Sequence, residues 1–371
     1  MNPYFPEIKK NFGFGMMRLP MCGEEVDIPE TCRMVDAFLD AGFNYFDTAH
    51  GYIGGKSELA VRDALTSRYP RDKYVLADKL SASFFKTAEE VRPYFETMLE
   101  ACSVTYFDFF LIHAVNAKNY EHYKACRAYE ISAELKAEGK IRHLGMSFHD
   151  TADVLDRILT EQPDVEFVQL QLNYIDYEDP HVQARLCYEV CEKHGKPVIV
   201  MEPVRGGSLV NLPAEALDVL NGLGGCSPAG YAIRYAAGFD RVFMTLSGMS
   251  NMEQMTDNLA SMTNFVPLNE EENRAIDRVC EIIRAVPTIP CTACRYCVDG
   301  CPKNIAIPRI FEAENVARRY TTAMARDDYY WATLKNGKPS ECIGCGKCEK
   351  ICPQQLEIRR LLAEINKRFE G

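Results

Sequence analysis

Eight of the chain's sixteen cysteines stand in two strings near its end, CTACRYCVDGCP at residues 291–302 and CIGCGKCEKICP at 342–353. Both read CxxCxxCxxxCP. Thiolates at this spacing wrap a cubane cluster within one tight loop, so each string has the form that ligates a [4Fe–4S] centre. In chains with two such strings, the first three cysteines of one bind one cluster and the fourth binds the other. That crossing assigns Cys291, Cys294, Cys297 and Cys352 to one cluster, and Cys342, Cys345, Cys348 and Cys301 to the second. Zinc also accepts four thiolates, but its sites pair two CxxC halves and have no use for a third cysteine ahead of Cys-Pro.

The remaining cysteines, Cys22, Cys32, Cys102, Cys126, Cys187, Cys191, Cys226 and Cys280, share no spacing and read as small apolar core residues. A chain of 371 residues, 47% hydrophobic and 26% charged, has material for one large core and a smaller one. Its net charge of -11 argues against nucleic acid or an anionic membrane as a partner, since either selects a basic patch, and leaves small molecules and redox proteins. No apolar run approaches the roughly 20 residues of a membrane helix. The start MNPYFPEIKKNFGFG has neither the apolar core nor the cleavage site of an export signal. A cytoplasmic protein with thiols rather than disulfides is the expectation.

Upstream of the cysteines, apolar runs alternate with amphipathic stretches: FGFGMM at 12–17, FNYFDTA at 43–49, YVLADKL at 74–80, FDFFLIH at 107–113, IRHLGMS at 141–147, VEFVQLQLNY at 165–174, KPVIVME at 196–202 and RVFMTLSG at 241–248. Eight strands with eight crossover helices in about 280 residues predict an α/β fold, a (β/α)8 TIM barrel, with its working face at the C-terminal ends of the strands. The prolines of VPTIP at 286–290 mark a boundary, giving a barrel over 1–285 and an iron–sulfur domain over 286–371. The stretch between the two cysteine strings has helical apolar spacing, so the second domain is expected to be mainly helical.

Polar residues at strand ends are therefore the candidates for chemistry. Asp47 follows FNYF, Tyr52 lies five residues on, Lys79 ends YVLADK and His113 ends FFLIH. Singly these read as a capping aspartate, a surface tyrosine, an exposed lysine and a satisfied core histidine. At successive strand ends of one barrel they converge on one mouth.

The segments GFGMMRLP and FDTAHGYIGGKSE, the lysine of ADKL and the histidine of LIH resemble the aldo-keto reductase family, in order and spacing, over roughly residues 10–285. The resemblance implies a catalytic tetrad: Tyr52 as proton donor to a substrate carbonyl, Lys79 and Asp47 behind it, and His113 orienting the substrate. It implies carbonyl reduction or alcohol oxidation on a small molecule, with NADP or NAD as cofactor. A nearby ammonium is expected to lower the tyrosine pKa. The region 290–365 resembles helical two-cluster ferredoxin modules appended to redox enzymes, which implies electron relay and an external redox protein as a further partner.

The same resemblance places Ser147, Gln169 (ahead of Gln171) and Met201 around a nicotinamide, with Phe148 where asparagine is usual and Met201 where a stacking tyrosine is usual. Ser247, Gly248 and Asn258 fall at the phosphate and adenine positions. The stretch LSGMSNMEQMTDN lacks the lysine and arginine that grip a 2'-phosphate, so flavin mononucleotide is the rival nucleotide. The glycines of FGFGM are assigned to substrate-side packing, Arg18 and Arg205 to salt-bridged or surface roles, and Lys56, Ser57 and Glu58 to a helix start with Ser57 near the cap. The rival function is an iron–sulfur electron-transfer protein whose barrel binds flavin or serves as a docking scaffold.

Overall fold

Each apolar run holds one strand of the computed structural model, with the strands of the 107–113 and 141–147 runs extending up to two residues past their C-terminal ends, and the structure describes residues 2–180 and 182–371. The strands are β1 (Phe12–Gly15), β2 (Tyr45–Asp47), β3 (Val75–Leu80), β4 (Phe107–Val115), β5 (Ile141–Phe148), β6 (Phe167–Gln171), β7 (Val198–Met201) and β8 (Val242–Gly248). All pair in parallel in chain order, and β8 pairs with β1 to close the barrel. Parallel strands need crossover connections that cover the outside, which is why β1, β2 and β3 are buried along their whole length on both faces.

The helices that cover the first half are α1 (Ile28–Asp40), α2 (Lys56–Val61) and α3 (Ala88–Cys102). Helix α1 starts where its sequence says it should: the Asp27 carboxylate accepts from the Glu30 N–H at 3.0 Å, and Pro29 occupies the first turn. Helix α2 starts at Lys56, where the sequence expectation has it, with Gly55 rather than Ser57 in the cap position. Gly55, with φ +90°, is the residue ahead of Lys56, and Ser57 lies inside the helix with its hydroxyl donating to the Met16 carbonyl at 2.8 Å. Ser57 thus ties α2 to the turn after β1 instead of capping it.

Alternate residues of each strand fill the barrel lumen. Tyr45, Ala77, Leu111, Phe167 and Ile199 meet there, and Phe5 enters from the N-terminal segment with its ring 5.0 Å from that of Phe109. Gly13, the first of the two glycines of β1, belongs to this packing rather than to a substrate face: a Cβ on it would lie 2.6 Å from Leu246 and 2.9 Å from Tyr45. Of the eight unpatterned cysteines, Cys102, Cys126, Cys187, Cys191 and Cys280 are buried, whereas Cys32 and Cys226 are half-buried and Cys22 is exposed on a short hairpin.

Contacts divide the chain into a unit of Met1–Arg205 with Gly225–Glu272, which holds the barrel strands, and a unit of Gly206–Gly224 with Asn273–Gly371. In the second unit, helices Ile307–Arg319, Arg326–Thr333 and Ile358–Phe369 enclose a small core of Ile310, Phe311, Leu362 and Ile365. Tyr329 stacks on Phe369 with ring centroids 4.4 Å apart. Among the described residues no helix is long and apolar enough to cross a membrane.

Candidate active site

Two residues up each strand, the lumen changes character. Above Tyr45 comes Asp47, above Ala77 comes Lys79, above Leu111 comes His113, and above Phe167 comes Gln169, because residues i and i+2 share a strand face. The last layer before the C-terminal mouth is therefore polar. The Lys79 ammonium, fully buried, donates to Asp47 Oδ1 at 2.5 Å and to the Thr48 carbonyl at 2.8 Å. Its nitrogen lies 4.8 Å from the centroid of the Tyr52 ring, and that ring lies 5.8 Å from the His113 ring. The four candidate residues form one cluster.

Tyr52 is held by a left-handed turn in which glycine supplies two of the three positions. Ile53, Gly54 and Gly55 take φ values of +52°, +63° and +90° in succession, which reverses the chain behind the tyrosine before α2 begins. Sequence reasoning missed the groups that fix the histidine. The Ser81 hydroxyl meets His113 Nδ1 at 2.6 Å, and the Tyr123 hydroxyl donates to the His113 carbonyl at 2.6 Å. Ser81 was findable as the next residue on the lumen face of the Lys79 strand.

Burial sets the protonation states. It opposes the Lys79 charge, but Asp47 and Tyr52 more than restore it, up to about 12. Burial also pushes the Tyr52 hydroxyl above its ordinary value, with Lys79 pulling it down and Asp47 pushing it up. The expected net lowering of Tyr52 by Lys79 is therefore reversed: desolvation of the phenolate outweighs the ammonium. His113 is pushed down to about 3, first by burial and then by the Lys79 charge, so it is a neutral imidazole at pH 7.

Beside the tetrad, Ser147 and Gln169 are register partners on β5 and β6, and Gln171 and Met201 on β6 and β7. Gln171 is committed elsewhere, donating to Asp176 at 2.8 Å, whereas Gln169 is buried with its amide oxygen unpartnered at the lumen mouth. Ser147 accepts from the Ala114 N–H at 2.7 Å and keeps its own hydrogen to donate. These two residues suit a primary carboxamide, which needs one acceptor and one donor. At the end of β8, Asn258 donates to Ser247 at 3.0 Å with both buried, and Gly248 faces Gly15 across the closing seam. Arg205 pairs with buried Asp176 at 3.0 Å, while Arg18 is exposed and lies across Gly248, whose added Cβ would come 3.2 Å from that of Arg18.

The cysteines gather in two cavities of the second unit. One is lined by Cys291, Cys294, Cys297 and Cys352 with Ile307 and Phe311, the other by Cys301, Cys342, Cys345 and Cys348 with Ile305 and Leu362. Each set draws three residues from one string and the last from the other. The backbone repeats as well: Ala293 and Arg295 have positive φ where Gly344 and Gly346 do in the second string, and Asn304 matches Gln355. Left-handed non-glycine residues cost roughly 1–2 kcal/mol each. Their recurrence at matched positions fits a loop shaped to converge thiols on a bound ion cluster.

The chain matches the model of the Aldo/keto reductase family over residues 11–281 and that of a 4Fe-4S dicluster domain over residues 290–357. It is 25% identical over 280 residues to the L-galactose dehydrogenase of Arabidopsis thaliana, covering 70% of this chain and 86% of that one. It is 24% identical over 195 residues to the NADH-specific methylglyoxal reductase of Escherichia coli, covering 47% and 57%. Among solved structures, an aldo-keto reductase from Klebsiella pneumoniae in complex with NADPH superimposes with a TM-score of 0.59 at 20% identity, covering 73% of this chain and 95% of that one. One from Bacillus halodurans gives 0.61 at 23% identity, covering 73% and 92%. At these structural identities the likeness is one of fold.

Proposed function

The chain belongs to the aldo/keto reductase family with an iron–sulfur domain appended, and from that premise we propose that it reduces a small-molecule carbonyl, or oxidises the matching alcohol, with Tyr52 as the proton donor or acceptor. The observation that carries the reading is the convergence of Asp47, Lys79, Tyr52 and His113 in one cluster at the strand ends, with Asp47 and Lys79 buried and Tyr52 and His113 partly exposed at the mouth. A bound reduced nicotinamide would supply hydride to the carbonyl carbon. Ser147 and Gln169 would hold its carboxamide, Met201 would lie against its ring, and Ser247, Gly248 and Asn258 would meet its phosphate and adenine ends.

The proton steps belong to the chain's own residues. Tyr52 is protonated at neutral pH because burial pushes it up, so it begins as a donor. As its proton passes to the carbonyl oxygen, the growing phenolate faces the Lys79 ammonium, which Asp47 keeps charged. His113 is neutral, and a Ser81 hydroxyl donating to its Nδ1 would leave Nε2–H as a donor to the same oxygen. In oxidation the phenolate takes the proton back. For the second domain, Cys291, Cys294, Cys297 and Cys352 would hold one [4Fe–4S] cluster and Cys301, Cys342, Cys345 and Cys348 another, and such clusters supply one-electron transfer.

The test is Tyr52→Phe. It removes the proton donor and little volume, so kcat/KM for a model aldehyde should fall at least about a hundredfold while nucleotide affinity is unchanged. Retention of more than about a tenth of wild-type turnover, a barrier change under roughly 1.4 kcal/mol, would exclude Tyr52 as the donor.

A further inference from the structure

Behind the tetrad, on the helix side of the sheet, three buried groups meet that the proposed chemistry does not use. Asp78 is next to Lys79 on β3 and so points to the opposite face. There it meets Glu58 from α2 and Cys102 from the end of α3; one ligand-type atom of each lies within 4.8 Å of the other two, and all three residues are buried. The Cys102 thiol donates to Asp78 Oδ2 at 3.7 Å, and the Lys79 N–H donates to Asp78 Oδ1 at 2.8 Å. Glu58 Oε2 meets His50 Nδ1 at 2.8 Å, but Glu58 Oε1 is buried with no donor.

Two carboxyls so placed need a compensating charge. Among the described residues no lysine or arginine is ion-paired with either, and the Lys79 ammonium is committed to Asp47 and Thr48 on the lumen side. His50 contributes no cation at neutral pH, because burial pushes it below its ordinary value. The other facing groups, Tyr94 of α3 and the Cys102 thiol, are pushed up by burial and by the carboxyls and stay protonated. A protonated thiol is a poor metal ligand. A hydrogen between the carboxyls supplies the donor that Glu58 Oε1 lacks.

We propose that Glu58 and Asp78 share a proton, and that this acid pair positions Tyr52 and Lys79 from behind for as long as the proton is held. The pair has an arm on each catalytic element. Through His50 it grips the segment between Asp47 and Tyr52, which the 2.7 Å contact of Thr48 with Ser57 closes a second time. Through the Lys79 N–H it grips β3 at the lysine itself. Loss of the last proton leaves two adjacent carboxylates in an apolar layer, and their repulsion separates α2 from β3. Burial drives both carboxyls upward, Glu58 to about 7 and Asp78 well above its ordinary value with the Glu58 charge adding to the effect.

The inference rests on the proposed role of Tyr52, and its test has one arm that needs no turnover. In Asp78→Asn and in Glu58→Gln an amide N–H replaces the shared proton. A carboxyl whose folded pKa is raised stabilises less and less as pH climbs from its unfolded to its folded value, and the amide has no such loss. In anaerobic full-length protein, the melting temperature of Asp78→Asn should gain on wild type by at least about 3 °C between pH 6 and pH 9. The alkaline limb of aldehyde reduction should move up by about one pH unit or more in either variant. Parallel melting curves overturn the shared proton. A limb that does not move while the melting curves diverge overturns the positioning role. A non-iron divalent metal bound one to one in wild type and lost in Asp78→Asn overturns the whole proposal in favour of a metal site. If no carbonyl is reduced by wild type at any pH, the reading of Tyr52 fails, and the melting comparison still judges the proton.

Discussion

His113 shows how one residue's surroundings decide what it does. An exposed histidine titrates near 6.5, in the middle of any working range, but burial and the Lys79 charge push this one down to about 3. It has no charge to lose or gain between pH 5 and pH 7, so kcat/KM for reduction should stay within about twofold there, where an ordinary essential histidine would impose a change of about tenfold. A pH profile with a break near 6.5 that vanishes in His113→Gln would refute this. The sign for stability is the opposite of that for the acid pair. With a depressed pKa, His113 stays neutral in the fold while the unfolded chain takes up the proton below 6.5, so its share of stability is lost as pH falls from 6.5 towards 3. Replacement by glutamine should flatten the melting temperature over that range.

At the scale of the strand and helix, close packing of the lumen allows Gly145 no alternative. A Cβ there would overlap the Phe167 ring, which is itself wedged against Phe109 with centroids 5.2 Å apart. Gly145→Ala should destabilise the barrel by about 1–3 kcal/mol, read as a lowered denaturant midpoint, without changing which nucleotide binds. The end of β8 makes a prediction of the other kind. No lysine or arginine occurs from residue 242 to 273, so nothing in β8 or the following helix discriminates for a 2'-phosphate. NADH and NADPH should therefore bind within about tenfold of each other, under 1.4 kcal/mol, by fluorescence titration. Strand periodicity made the eight strands legible from sequence, and with them the places of Asp47, Lys79 and His113 towards the strand ends; Tyr52, five residues past Asp47, was singled out together with them and took its role from the family resemblance. Periodicity did not reveal Asp78, one residue from Lys79 in the same run. Alternation says that it faces the helices, but only the fold shows that Glu58 faces it there. Ser57 does lie in the first turn of a helix, as its sequence suggests, but local sequence gives no sign that a distant carbonyl, that of Met16, takes its hydroxyl.

For the whole molecule, the two chemistries differ in electron count, since hydride carries two electrons and a cubane cluster exchanges one. The iron content is therefore the first quantity to establish. The two cysteine sets are interlocked: the cavity of Cys291, Cys294 and Cys297 is completed by Cys352 from the second string, and that of Cys342, Cys345 and Cys348 by Cys301 from the first. Neither string lines a cavity alone, and the two cavities share no cysteine. Anaerobically prepared protein should hold about eight irons with broad visible absorbance. Cys342→Ser removes a ligand from one cavity and none from the other, so it should cost up to about four irons and leave the remaining cluster's absorbance and magnetic signature in place. Cys352→Ser should do the converse, disturbing the cluster whose other three ligands lie some sixty residues earlier in the chain. That result separates the crossed arrangement from one in which each string binds its own cluster, because uncrossed strings would give Cys352→Ser and Cys342→Ser the same spectrum. Zinc in place of iron, colourless and unaffected by reductant, would remove the clusters from the account and leave a reductase with a structural metal domain.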